Sequence, residues 1–84
     1  MSDRLTYEEL AGLMKSGAGL TVDPAQMESR PGSAFEEYGL DSLGLLGIVA
    51  ALENRYGRPL PADADRCRTP GEFLDLVNTT LTGV

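Results

Sequence analysis

Apolar residues recur at helical intervals in three stretches of the chain, and none alternates as a strand would. In the central one, about 100° of rotation per residue puts Leu45, Ile48, Val49, Leu52 and Tyr56 on one side, which predicts a buried stripe. Asp41 has the acceptor of a good N-cap, so the helix is expected to begin at Ser42. Gly39 frees the backbone before the cap, and Gly57 stands where a left-handed residue ends a helix. Leu43, Leu46 and Ala50 point away from the stripe, leaving two leucines exposed beside Ser42 at its edge. A third row holds Gly44, Gly47 and Ala51, and each helical glycine costs about 1 kcal/mol relative to alanine. That row implies close approach, either by a neighbouring helix or by a partner or a long substituent.

Thr6-Tyr7-Glu8-Glu9 has capping-box spacing, and Tyr7, Leu10, Leu13 and Met14 follow at helical intervals. A first helix is expected from about Thr6 to Lys15, ended by Gly17 and Gly19. Residues 18–33 carry turn residues without periodicity and read as a long loop anchored by Leu20, Val22 and Met27. Ala34 to Leu40 adds a helical turn that brings Phe35 into the core. Pro59 and Pro61 bar a helix after Gly57, and Ala62 to Cys67 makes a short one. Thr69-Pro70-Gly71-Glu72 is a strong start signal for a last helix through about Leu81, with Phe73, Leu76, Val77 and Thr80 on its apolar face and Leu74 and Leu81 flanking it. The fold class is all-α: a small antiparallel bundle of three main helices plus one short helix, with the long loop between helices 1 and 2.

With 84 residues, one domain spanning 1–84 is expected, its core small. No apolar run approaches the roughly 20 residues that span a bilayer, and no signal pattern opens the chain, so a cytoplasmic protein is expected. The net charge of −6 disfavours nucleic acid and anionic membranes and favours partners with basic surfaces. No cation falls between Ser33 and Asn54, so the surroundings of Ser42 are net negative. The single cysteine, Cys67, rules out an internal disulfide, and without histidine no transition-metal site is expected. A monomer is expected.

A serine at a helix start suits nucleophilic catalysis or covalent modification. Catalysis by a Ser-His-Asp triad is excluded because the chain has no histidine. The Gly-x-Ser-x-Gly elbow is absent too, since the local sequence is Leu40-Asp41-Ser42-Leu43-Gly44. Ser-Lys chemistry would need Lys15, the only lysine, from another helix. A phosphoryl group on Ser42 would instead meet free N–H groups and the positive end of the helix dipole.

Gly39-Leu40-Asp41-Ser42-Leu43, preceded by Phe35 and followed by an apolar helix, a proline connector and a capped last helix, resembles the acyl carrier protein family. The resemblance implies a 4′-phosphopantetheine arm on Ser42, derived from coenzyme A, whose thiol holds acyl groups as thioesters. Leu52-Glu53-Asn54-Arg55-Tyr56-Gly57, Pro61 and the stretch from Thr69 to Asn78 look like carriers of bacterial type II, aromatic polyketide synthases. That likeness implies malonyl and poly-β-ketoacyl cargo. It also implies four discrete partners: a phosphopantetheinyl transferase, a malonyl acyltransferase, the ketosynthase with its chain-length factor, and a ketoreductase. A carrier of this kind is not an enzyme.

Within the resemblance, Leu43 and Leu46 match exposed contact positions, or else are half-buried bundle residues. Asp41, Glu53, Glu36 and Glu37 are the acids expected to meet partners. Gly44, Gly47 and Asn54 stand where fatty-acid carriers usually have more carboxylates. Cargo is expected to fold back near Leu45, Leu60, Ala64 and Leu74, with Asn78 donating to a keto oxygen. A fatty-acid or non-ribosomal peptide carrier shares the modification, whereas an unmodified acidic interaction module shares only the surface.

Overall fold

The computed structural model describes residues 4–81. Residues 1–3 and 82–84, which the single-domain expectation includes, lie outside the described residues. Four α-helices and two 3-10 turns make up the regular structure: α1 (Tyr7–Ala18), α2 (Pro24–Ser29), a first 3-10 turn (Phe35–Tyr38), α3 (Ser42–Tyr56), a second 3-10 turn (Ala62–Arg66) and α4 (Pro70–Leu81). Among the described residues there is no strand.

Local chemistry sets most boundaries. Thr6 Oγ1 accepts the Glu9 N–H at 3.1 Å and opens α1. At the other end Gly19, with φ 70°, donates to the Lys15 carbonyl, and Leu20 donates back to Met14. The Gly19 bond is that of an αL C-cap, and it needs a left-handed residue at Gly19 only. Gly17 therefore lies inside the last turn, and α1 runs three residues beyond the expected Lys15.

The expected loop over residues 18–33 contains α2. Asp23 Oδ1 accepts the Ala25 N–H at 2.9 Å, and Pro24 occupies the first helical position. Six residues are too few to display a helical period, so the Asp23-Pro24 start was the only legible sign. Met27 is fully buried and anchors α2 against α1 and α4. The chain beyond it is sewn to the start of α4: Gly71 donates to the Pro31 carbonyl at 3.2 Å and Phe35 to the Arg68 carbonyl at 2.7 Å. Phe35 then meets Phe73 edge to face, with centroids 6.0 Å apart.

α1 lies antiparallel to α3. Ala18 approaches Gly44 at one end, and Glu9 pairs with Arg55 at 2.8 Å at the other. The second 3-10 turn packs on α3 and α4. Leu45, Ile48, Val49 and Leu52 are buried as expected, and Tyr56 only partly. On α4 the buried residues are Pro70, Phe73, Leu74 and Val77, while Leu76 turns half out.

The small-residue row of α3 divides. A Cβ on Gly44 would stand 2.7 Å from Leu40 Cδ1 and 3.6 Å from Ala18 Cβ, so close packing explains that glycine. Gly47 has nothing within 4 Å of such a Cβ, and Ala51 is exposed. No neighbouring helix covers the row there.

Two glycine replacements are expected to act in opposite directions in urea or thermal unfolding. Gly47→Ala, in an open helix interior, raises stability by about 1 kcal/mol, or about 4–8 °C in Tm for a domain of this size. Gly71→Ala lowers it by about 1–3 kcal/mol. The new methyl would stand 2.8 Å from Pro31 Cβ and 3.0 Å from its carbonyl oxygen, neither of them the far end of a flexible side chain.

Candidate functional site at the start of α3

Leu40 and Leu45 are both buried at 3% exposure, and the four residues between them form the corner where α3 begins. Asp41 Oδ1 accepts the Gly44 N–H at 2.7 Å, and the Asp41 carbonyl accepts the Leu45 N–H at 3.0 Å. This cap makes Ser42 the first residue of α3, on the solvent side of the corner. The first turn holds no acidic side chain. An exposed hydroxyl thus stands at the positive end of a 15-residue helix, and these features fit a phosphate diester on its oxygen.

Around Ser42 the surface is apolar. Leu43 is 75% exposed and Leu46 48%, and no other large hydrophobic residue among those described is exposed. For Leu43 the half-buried alternative is thereby removed, while Leu46 keeps about half of its surface covered. Gly47 and Ala50 continue this open face along α3.

The acids expected to meet partners are less free than their charge implies. Glu37 Oε2 accepts the Ala34 N–H at 2.9 Å, and Asp41 is the cap of α3. Glu53 is half-buried, and its Oε2 accepts the Leu60 N–H at 2.8 Å. A partner meeting Glu53 would therefore meet a carboxylate already engaged with the chain's own backbone. Glu36 is exposed at the rim, in the first 3-10 turn.

The five residues expected to touch cargo divide between two places. Leu45 on α3, Leu60 in the connector and Ala64 in the second 3-10 turn are buried, and that turn packs on α3. Leu74 and Asn78 line a hollow of about 1000 Å³ with Leu5, Tyr7, Pro24 and Glu28. Asn78 is anchored to the start of the chain's described part, because one N–H of its amide Nδ2 donates to the Leu5 carbonyl at 3.1 Å; the second N–H of that nitrogen takes no part in this pair. The Asn78 Oδ1 accepts the Leu5 N–H at 2.6 Å. A paired amide 73 positions away along the chain was beyond the reach of sequence spacing.

In the hollow, burial and, secondarily, Glu28 push the Tyr7 hydroxyl up from its ordinary value. Among the described residues no group of three metal-binding side chains assembles, and no helix is long and apolar enough to cross a membrane.

A family profile described as a phosphopantetheine attachment site matches residues 20–77. A probable acyl carrier protein of Streptomyces coelicolor is 56% identical over 82 residues, covering 96% of this chain and 91% of the relative. The curamycin polyketide synthase acyl carrier protein of Streptomyces cyaneus is 55% identical over 78 residues, covering 93% of this chain and 88% of its own. The solved structure of the actinorhodin apo acyl carrier protein from S. coelicolor superposes with a TM-score of 0.79 at 36% identity, covering 99% of this chain and 98% of that one.

Cys67 closes the second 3-10 turn, where burial, then Glu72, Asp63 and Asp65, push its thiol up. The fold therefore favours the neutral thiol. That contribution to stability is complete below the free value of about 8.5 and is lost as pH rises through the higher native value. Native Cys67 is expected to react with iodoacetamide more slowly than free cysteine at about pH 8, the gap vanishing in urea. Intact mass against time reads both.

Proposed function

The chain belongs to the phosphopantetheine attachment family of acyl carrier proteins, and on that premise we propose that Ser42 Oγ bears the 4′-phosphopantetheine arm. The protein is a carrier of type II polyketide synthesis. When bound, the arm supplies a terminal thiol that holds acyl groups as thioesters. We assign it malonyl and growing poly-β-ketoacyl chains, and we read residues 1–84 as one carrier domain acting in the cytoplasm.

One observation carries the assignment to Ser42. Ser42 is exposed at the first position of α3, inside the matched stretch, and the carboxylate next to it in the chain, Asp41, is engaged with the Gly44 N–H. The backbone N–H groups there favour a phosphate diester and orient the arm's root, a contact worth about 0.3–1 kcal/mol at an exposed site. Leu43 and Leu46 provide an apolar docking surface beside it, with Glu36 at the rim and Glu37 and Asp41 adding charge from their capping positions. So small a patch supports weak, reversible docking, which a shuttle between enzymes requires. The partners we propose are a phosphopantetheinyl transferase, a malonyl acyltransferase, the ketosynthase with its chain-length factor, and a ketoreductase. For cargo we propose the seam lined by Leu45, Leu60 and Ala64, entered from the Ser42 end of α3.

Incubation with coenzyme A, Mg²⁺ and a broad-specificity phosphopantetheinyl transferase is expected to add one pantetheine-phosphate increment to wild type and none to Ser42→Ala, read by intact mass. No increment on folded wild type would return the protein to an unmodified acidic interaction module. Loading by type II polyketide partners beside fatty-acid and peptide synthase partners then reads the cargo class. Leu46→Asp is expected to slow loading by the transferase about tenfold by placing a charge in an apolar contact.

A further inference from the structure

The connector Pro59-Leu60-Pro61 has a single backbone donor, because neither proline carries an N–H. That donor, on Leu60, is bonded to Glu53 Oε2 at 2.8 Å, from the last full turn of α3 across the Gly57 reversal. Leu60 is 8% exposed and Ala64 is fully buried, so the connector and the second 3-10 turn close the seam against α3. The turn has little to hold it by itself. It has no side-chain cap, and its start rests on the Ala64 N–H donating to the Pro61 carbonyl at 3.0 Å. The connector's other tie is Arg58, whose Nη1 donates to the Thr80 carbonyl at a longer 3.3 Å from an exposed position.

We propose that Glu53 is a positioning residue for cargo: its carboxylate latches the connector to α3 and sets how far the Ala62–Arg66 turn swings away to admit an acyl chain. The cargo part of this rests on the seam reading above, and the latch itself does not. Leu45, Leu60 and Ala64 are all buried, so a chain admitted beside them would have to part the turn from α3. Movement of the turn pulls on its entry at Pro61, and the preceding residue is held by the Glu53 carboxylate. A half-buried hydrogen bond to an ionised acceptor is among the stronger single ties available to so short an element. The latch thereby resists opening without sealing the seam permanently. A partner surface that drew the Glu53 carboxylate to a cation of its own would release the turn.

The test is amide hydrogen exchange by NMR on the phosphopantetheinylated protein, in wild type, Glu53→Ala and Glu53→Gln. Loss of the acceptor in Glu53→Ala is expected to speed exchange at Leu60 and Ala64 by at least about tenfold, while amides in the middle of α1 and α4 are unchanged. Glu53→Gln keeps an acceptor oxygen and is expected to stay within about threefold of wild type. A docking charge predicts no such rescue. Equal exchange at Leu60 in wild type and Glu53→Ala overturns the latch, as does a Glu53→Gln protein that behaves like Glu53→Ala. The second readout is the chemical-shift change on acylation, expected at Leu45, Leu60 and Ala64 in wild type and larger in Glu53→Ala. Absence of any shift there, with the exchange pattern intact, overturns the cargo role and the seam reading while the latch survives.

Discussion

The hydrogen bond from the Gly44 N–H to the Asp41 carboxylate decides where α3 starts, and the position of Ser42 follows from it. One residue earlier or later, and a different side chain would stand at the first helical position. Gly44 has no Cβ, and Leu40 and the Asp41 side chain pack close over the first turn in the space it leaves. Leu40 and Leu45 then lock the corner from below, both buried, leaving Asp41, Ser42 and Leu43 facing solvent. A reactive position on a rigid corner beside two exposed leucines is what a carrier needs, since its task is presentation rather than chemistry.

A domain of this size cannot bury enough apolar surface to leave its polar groups idle. The acids show the consequence. Glu37, Asp41, Glu53 and Glu72 each accept a backbone N–H near the end of a helix, a 3-10 turn or the connector. They supply the net negative charge and at the same time hold the chain's corners together. The large side chains left free for contact, Leu43 and Leu46, carry no such structural duty.

Local signals were legible and distant ones were not. The cap at Asp41, the left-handed Gly57 and the Thr69-Pro70 start all lie within a turn of what they control, so sequence spacing was enough. Gly17 and Gly19 were equally plausible ends for α1, and the choice fell to Gly19 because Leu20 closes back onto Met14 beyond it. α2 escaped notice because six residues with one buried anchor show no period. The engagements of Glu53 and Asn78 lay out of reach for a different reason. Their hydrogen-bond partners are backbone atoms of Leu60 and Leu5, and a side chain's letter does not say which backbone it will meet.

By itself the sequence determined the helical class, the starts of α3 and α4, the exposure of Ser42 and its likeness to carrier proteins, because caps, periodicity and a motif are all short-range. Tertiary structure alone decided which glycines are packed, which acids are free, where Asn78 is engaged and which apolar residues wall the seam. Those outcomes depend on contacts between segments brought together by burial. Gly44 and Gly47 are the same residue three positions apart, yet one is pressed against Leu40 and Ala18 and the other faces open space.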